Sequence, residues 1–387
     1  MIRNIFSITI FILLFSSCGV APKDKSITSG SQENTAVQKP VEVKYSKCFT
    51  IDTITGGFQR IIVHNPADQL LEKHTYILVP KGVAYQAQKE EEIISTPIES
   101  CGIFSSSLLG LFDALGIIES IVTVENRNYI FNKQIQEAIA NGAVSEVRQG
   151  GVVNAEKVIL QNPETLFTAG LGLGVDEEFK PIISAGIGVI QCYDWREDHP
   201  LAKAEWIKFF GALFDKEALA DSIFNAIESN YNGQVELITS VEFESVPKAL
   251  LSNMFQDTWY MPGGNSYIAK LIKDAGAQYP WSKEKMNGSL PLSFESIAAQ
   301  ALDSDIWINA EASSLDELII KDSRLRQFIE NAQLGVFHYG KETNELGGND
   351  YFESGALRAD LVLSDYIKMI HPELKEDQEF NYFVRLK

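Results

Sequence analysis

The sequence predicts an α/β protein made of two lobes with mainly parallel sheets, joined by one long interlobe helix and enclosing a cleft. Three observations predict it. Helix-then-strand segments follow one another along most of the chain, one such segment recurs downstream, and a long amphipathic stretch separates the two occurrences. The recurrence is the plainest of the three. "NAEKVILQNPETLF" (154–167) reads as a short helix running into a buried strand, and "SFESIAAQALDSDIWI" (293–308) repeats the pattern. Each copy places a glutamate, Glu156 or Glu295, at the third position of a helix start. Apolar residues at helical spacing follow, then a polar break, then an apolar run.

Taken in order, the first element is "MIRNIFSITIFILLFSSCG", with one early cation, Arg3, and an apolar run from Ile5 to Phe15. The run is shorter than the roughly 20 residues that span a bilayer. It suits the apolar part of an export signal, residues 1–17. The Ser-Ser-Cys-Gly ending resembles a bacterial lipobox, in which Cys18 would carry the lipid and become the mature N-terminus. An ordinary signal peptide or a membrane anchor is the alternative. Residues 18–44 are polar and rich in Ser, Lys, Gln and Pro, the composition of a flexible tether. These features predict an exported lipoprotein of the cell envelope, held by its lipid on a periplasm-facing membrane surface, with the outer surface as a second possibility.

A first lobe is expected over 45–200. "KCFTID", "FQRIIVHN", "HTYILVP" and "EIISTPI" read as strands, separated by Gly56-Gly57 and Asn65-Pro66. "FSSSLLGLFDALG" follows as a helix with Leu108, Leu111, Phe112 and Leu115 on one face and Gly116 past its end. "IIESIVTVEN" is a strand, the segment at 154–167 adds a helix and a strand, and "FKPIISAGIGVIQCY" adds another pair.

The linker is expected over 201–244. Its first helix carries Ala204, Ile207, Phe210 and Leu213 on one face. A second, capped by Asp215, carries Leu219, Ile223, Ile227 and Tyr231. Extended to Leu237, it would cover about 33 Å at about 1.5 Å per residue, enough to pass from lobe to lobe. The second lobe, 245–387, then echoes the first: "SYIAKLIKDAGA" matches "SLLGLFDALGI", and "LRQFIENAQLGVFHY" matches "FKPIISAGIGVIQCY".

Composition narrows the function. A chain of 387 residues exceeds one ordinary core, and 45% apolar with 22% charged residues describes a globular protein. The formal charge of −19 argues against nucleic acid, because no run of Lys and Arg offsets it locally. Beyond Cys18 stand Cys48, Cys101 and Cys192, in no zinc spacing; one pair could be bridged, or all three could be small core residues. The histidines His64, His74, His199, His338 and His371 are scattered, so a bare metal ion is not expected, and His64, His74 and His371 lie beside turns or prolines as solvated residues do. "GLGLG" (170–174) lacks the third glycine of a dinucleotide loop, and no hydrolase, zinc-protease or phosphate-loop motif occurs. No enzyme is expected.

The lipobox, the two lobes and the long linker together resemble the helical-backbone (class III) periplasmic substrate-binding proteins of ABC importers. "NAEKVILQNPETLFTAG" resembles the family's signature, and "HPLAKAEWIKFFGALFDKEALADSIFNAIESNYN" resembles a linker of its iron-complex lipoproteins. The resemblance implies Rossmann-like lobes and a monomer that hands its ligand to a permease. It implies that Glu156 and Glu295 dock on that permease by pairing with its arginines; the alternative is that each only complements the positive end of its helix. The implied ligand is a metal chelate bringing its own metal, a ferric siderophore or related iron complex, with no cofactor besides. Haem or cobalamin, bound by an importer subunit or by a surface scavenger, is the alternative.

Such a binder takes its ligand between the lobes, beyond the carboxyl ends of the strands. In the first lobe this points to Ser105, Ser106, Tyr129, Trp195 and Arg196. In the second it points to Trp259, Tyr260, the "PGGNSY" loop with Gly264 and Asn265, and "GGNDYFESGALR" with Tyr351 and Arg358. Aromatic rings offer flat apolar contact to a chelate, Arg offers paired donors, and glycines let backbone N–H groups come close.

Overall fold

The computed structural model describes residues 41–65, 73–149, 151–170 and 177–387. The expectations for Cys18, the signal peptide and nearly all of the tether lie outside the described residues. So do Leu171 to Gly174 of the glycine-rich run.

The body begins with a four-stranded sheet: β1 (Phe49–Thr53), β2 (Gln59–His64), β3 (Lys73–Pro80) and β4 (Glu91–Thr96). The first three are antiparallel and β4 runs parallel to β3. The chain then builds β5 (Cys101–Phe104), α1 (Leu109–Ala114), β6 (Ile121–Val124), α2 (Lys133–Ala140) and β7 (Ser145–Glu146). A two-strand ribbon, β8 (Arg148–Gln149) and β9 (Val152–Val153), leads to α3 (Ala155–Gln161), β10 (Thr165–Ala169), α4 (Lys180–Ser184) and β11 (Gly188–Cys192). Five of these strands form an all-parallel sheet in the order β11-β10-β5-β6-β7. Strands β5, β10 and β11 are buried nearly end to end, which explains why their sequences show no apolar–polar alternation.

Two helices follow, α5 (Pro200–Leu213) and α6 (Glu217–Ser240). The expected one-faced α5 is instead buried along every residue except Lys203, including Glu205 and Lys208. The reason lies in the segment entering the body. The Glu205 carboxylate accepts the backbone N–H groups of Lys44, Tyr45 and Ser46 at 2.7–2.9 Å. Glu197 accepts from the backbone of Lys47 and the Trp206 indole, both at 3.0 Å. A buried carboxylate is tolerable when several donors replace its water.

Helix α6 begins one residue later than expected. Asp215 stands in the left-handed region (φ 57) and Lys216 holds the cap position without a side-chain bond. Its 24 residues span about 36 Å. Ala220, Phe224, Ile227, Tyr231 and Ile238 form the buried stripe. At its middle Glu228 holds Lys44 and Tyr45; in the next turn Tyr231 donates to Asp274, and Gln234 donates to the Asp360 carbonyl of the second lobe.

The second lobe contains β12 (Ala249–Leu251), β13 (Met254–Phe255), β14 (Thr258–Pro262), α7 (Tyr267–Asp274), β15 (Ser289–Leu292), α8 (Phe294–Ala301) and β16 (Ile306–Ile308). It continues with α9 (Leu315–Lys321), α10 (Arg326–Asn331), β17 (Gly335–His338), α11 (Ser354–Leu357), α12 (Ala359–Ile370) and β18 (Val384–Arg385). Its main sheet has the order β12-β16-β17-β18, parallel except for β18. A separate antiparallel sheet, β13-β14-β15, was not expected from the sequence.

The two echoes prove structurally equivalent. Gly188 opens β11 opposite Thr165 of β10, and Gly335 opens β17 opposite Ile306 of β16. Strand β10 lies parallel to β5 as β16 lies parallel to β12. Helices α1 and α7 both stop at a glycine with positive φ, Gly116 (+65) and Gly276 (+79), a conformation that a Cβ would strain.

The lobes meet closely. A Cβ at Gly110 of α1 would lie 2.3 Å from the Glu353 carbonyl, so only glycine lets that loop pack there. The Glu353 carboxylate accepts the backbone N–H groups of Phe131 and Asn132 from the first lobe, and burial raises its pKa to about 8. Asn344 donates to the Ile130 carbonyl at 2.8 Å.

Phe112, Phe167 and Phe210 pack edge to face, with ring centroids 5.0–6.0 Å apart, at the centre of the first lobe. Cys48, Cys101 and Cys192 are buried and unbridged, serving as small core residues. His371 departs from the expected solvated position: it is 3% exposed and stacks on Phe243 at 3.9 Å.

Candidate functional site

The five-stranded sheet reverses its winding between β5 and β10. At such a point the loops leaving two adjacent strands diverge and open a crevice at their carboxyl ends. A cavity of about 270 Å³ lies there. Ser105 follows β5, Glu125 and Asn126 follow β6, and Thr168 and Ala169 end β10, so sheet topology alone assembles most of the lining.

Three residues expected from the sequence line this cavity: Ser105, Ser106 and Tyr129. Ser105 is extended and precedes the short turn of helix at 106–108, its hydroxyl 2.9 Å from that of Ser107. The Asn126 side chain accepts the Asn128 N–H at 2.9 Å and fixes the turn bearing Tyr129. The Tyr129 ring is 63% exposed, a large aromatic surface standing open at the rim.

The charged part of the lining is a triad that sequence reading missed. Arg148 bonds Glu125 through Nε, Glu178 through Nη2 at 3.2 Å, and the Gly151 carbonyl through Nη1. Three of the five N–H donors of the guanidinium are thus engaged. Burial pushes the Glu125 carboxyl up, against the opposing pull of Arg148. Glu125 and Asn126 could have been found by the rule that picked Ser105, since they directly follow the strand "IVTV". Arg148 and Glu178 could not, because only folding brings residues 23 and 30 positions apart together.

Other expected residues lie elsewhere. Trp195 and Arg196 follow β11 but stack on each other, the guanidinium carbon 4.3 Å from the ring centre, and do not line the cavity. Gly264 and Asn265 line a different and larger cavity of about 1090 Å³, with Lys47, Lys248, Lys270 and His199. Lys248 immediately precedes β12, so that cavity lies by the amino edge of the second sheet, away from the strands' carboxyl ends. Three of its lysines are paired: Lys47 with Asp198, Lys248 with Asp303 and Lys270 with Asp274. His199 caps α5 through Nδ1, accepting the Leu201 N–H, and burial lowers its pKa to about 4.

Two expectations in the second lobe, Trp259 and Tyr351, are corrected by burial. Trp259 is 0% exposed and donates its indole N–H to the Leu251 carbonyl at 2.8 Å, a core residue beneath the hairpin. Tyr351 is buried and stacked on Tyr339 at 5.1 Å. Arg358 is held two-fold by Asp360, with both bonds at 2.8 Å. Tyr260, on the opposite face of β14 from Trp259, is 46% exposed.

Glu156 and Glu295 occupy equivalent places: both exposed, both second in their helices, behind the capping side chains of Asn154 and Ser293. The Glu295 carboxyl is held below the usual range by hydrogen bonds with its own backbone N–H and with Ser293, with a smaller contribution from Arg324.

Comparison with known proteins agrees with this architecture. The chain is 23% identical over 337 residues to an uncharacterized lipoprotein of Methanocaldococcus jannaschii, covering 84% of this chain and 78% of that protein. A periplasmic heme binding protein from Pseudomonas aeruginosa superposes with a TM-score of 0.54 at 16% identity, over 71% of this chain and 93% of the other. An ABC-type Fe3+-hydroxamate transport system protein from Saccharomonospora viridis gives 0.51 at 15% identity, over 71% and 94%. At such identities these two structures show the fold. The family model described as "Periplasmic binding protein" matches residues 103–331, more than half the chain, spanning the switch-point sheet, the long helix and most of the second lobe. The chain belongs to the periplasmic binding protein family.

Proposed function

We propose that this periplasmic solute-binding protein captures a metal chelate, a ferric siderophore or related iron complex, and delivers it to the permease of an ABC importer. The observation carrying this reading is the cavity at the switch point of the first lobe, with hydroxyl and amide groups at its base and the Tyr129 ring at its rim. A rigid chelate presents flat faces and peripheral oxygens, which an aromatic ring and neutral hydrogen-bonding groups suit. Ser105, Ser106 and Tyr129 are the ligand contacts in this reading, joined by Asn126 and Thr168. Tyr260, exposed on the second lobe, is the candidate contact from across the cleft.

Glu156 and Glu295 are the proposed permease contacts. Two carboxylates at fixed, equivalent points of two lobes can read both the presence and the spacing of two basic pockets. Cys18 is the proposed lipid attachment site, in keeping with the lipoprotein name of the archaeal relative.

The test is a thermal-shift series on the purified body with ferric hydroxamates, ferric catecholates, haemin and cyanocobalamin. A ligand that binds the folded state alone raises the melting temperature, by an amount that grows with its concentration over Kd. A shift with an iron chelate supports the reading. A shift with haemin or cyanocobalamin alone moves the ligand to that class, and no shift with any of them overturns it.

A further inference from the structure

The switch-point cavity carries its charges in a form that constrains the ligand. Among the described residues its charged lining is Glu125, Glu178 and Arg148, two carboxylates against one guanidinium. Arg148 is the natural anchor for an anionic oxygen, yet three of its five N–H donors are engaged, two of them by those carboxylates, whose combined charge exceeds its own. An incoming anion would have to bind beside two carboxylates that outnumber the one guanidinium. The rest of the polar lining, Ser105, Ser106, Asn126, Tyr129 and Thr168, is uncharged.

From this we infer that the site selects metal chelates that are neutral or positively charged, hydroxamate-type complexes and not polyanionic catecholates, with the Arg148 triad acting as the charge filter. The inference rests on the proposed function and narrows its ligand class. A neutral complex satisfies the hydroxyl and amide groups by hydrogen bonds and leaves the triad intact. A cationic one gains from the surplus carboxylate. A trianionic catecholate complex meets repulsion from a charged lining whose carboxylates outnumber its one guanidinium.

The test uses the wild-type body and a series of ferric complexes of similar size and different charge: ferrioxamine B (cationic), ferrichrome (neutral) and ferric enterobactin (trianionic). Titration is followed by quenching of intrinsic fluorescence. The neutral and cationic complexes are expected to bind at least about 100-fold more tightly than the trianion. Equal or tighter binding of the trianion overturns the charge filter and leaves the importer reading standing. Binding of none of the three, or of haemin or cyanocobalamin in their place, overturns the iron-chelate reading and this inference with it. A second measurement uses the Glu125→Gln, Glu178→Gln double variant, which frees the guanidinium while keeping hydrogen-bonding side chains around it. Its affinity for ferric enterobactin should rise about tenfold or more over wild type, and no rise would also overturn the filter.

Discussion

The two lobes repeat one plan, yet they treat the residues that follow their strands differently. In the first lobe β5 is central, flanked by β10 and β6, and Ser105 and Ser106 emerge at the open edge of the sheet. In the second lobe β12, the counterpart of β5, is an edge strand. Where the first lobe places β6, the second has only a single parallel bridge from Lys248 to Gln278. The chain leaving β12 turns straight back into the antiparallel β13-β14-β15 sheet, and Trp259 is folded against the Leu251 carbonyl as a cover. "Just after a strand" therefore means "at the cleft" only where the sheet continues on both sides. An edge strand leaves apolar surface that the next segment must bury, and the large residues of that segment are the ones used.

This contrast can be broken at three points. The largest effect is expected where the lobes agree. Reversing both Glu156 and Glu295 to Lys should abolish uptake of the chelate by cells, with the Kd of the purified protein unchanged. Each single reversal should impair uptake to a similar degree. Uptake that survives the double change would remove the docking role, and a large inequality between the singles would show that the lobes are not equivalent at the permease.

The next effect tests Trp259 as core. Trp259→Ala should lower stability to denaturant by about 3–5 kcal/mol, the usual cost of emptying a buried aromatic site. A variant that keeps its stability and loses ligand binding would restore Trp259 to the cleft. The smallest effect tests the opposite case. Tyr129→Ala should weaken ligand binding by about 1 kcal/mol, about fivefold in Kd, because an exposed ring at a binding rim contributes contact area. Its stability should stay within about 0.5 kcal/mol of wild type, as for most surface changes. Unchanged affinity would remove the ring from the site.

Much of the fold was legible because it rests on short-range signals. The helix stops at Gly116 and Gly276, the caps at Asn154 and Ser293, and the buried runs of β10 and β16 are each readable within about ten residues. The antiparallel sheet escaped notice because β13 is two residues long and β15 contains Pro291, which weakens both strand signals. The all-round burial of α5 escaped for another reason: Glu205 and Lys208 interrupt its apolar pattern, and only segment 44–46 supplies the donors that let Glu205 be buried.

The site divides in the same way. Ser105, Ser106 and Tyr129 were found because sheet topology projects residues that follow strands into the crevice. Arg148 and Glu178 were not, since a charged side chain carries no mark of which distant partner it will meet.

Local pattern alone determined that this protein has two like-built α/β lobes, a helical rod between them and matched glutamates at the two helix starts. Periodicity, capping and helix-stop chemistry act over a few residues and so are written in the chain order. Tertiary structure alone decided which aromatic residues stand exposed and which form the core, and that Arg148 of the switch-point cavity is paired with two carboxylates. Burial and ion pairing depend on what arrives from elsewhere in the chain, and only the assembled sheets set those encounters.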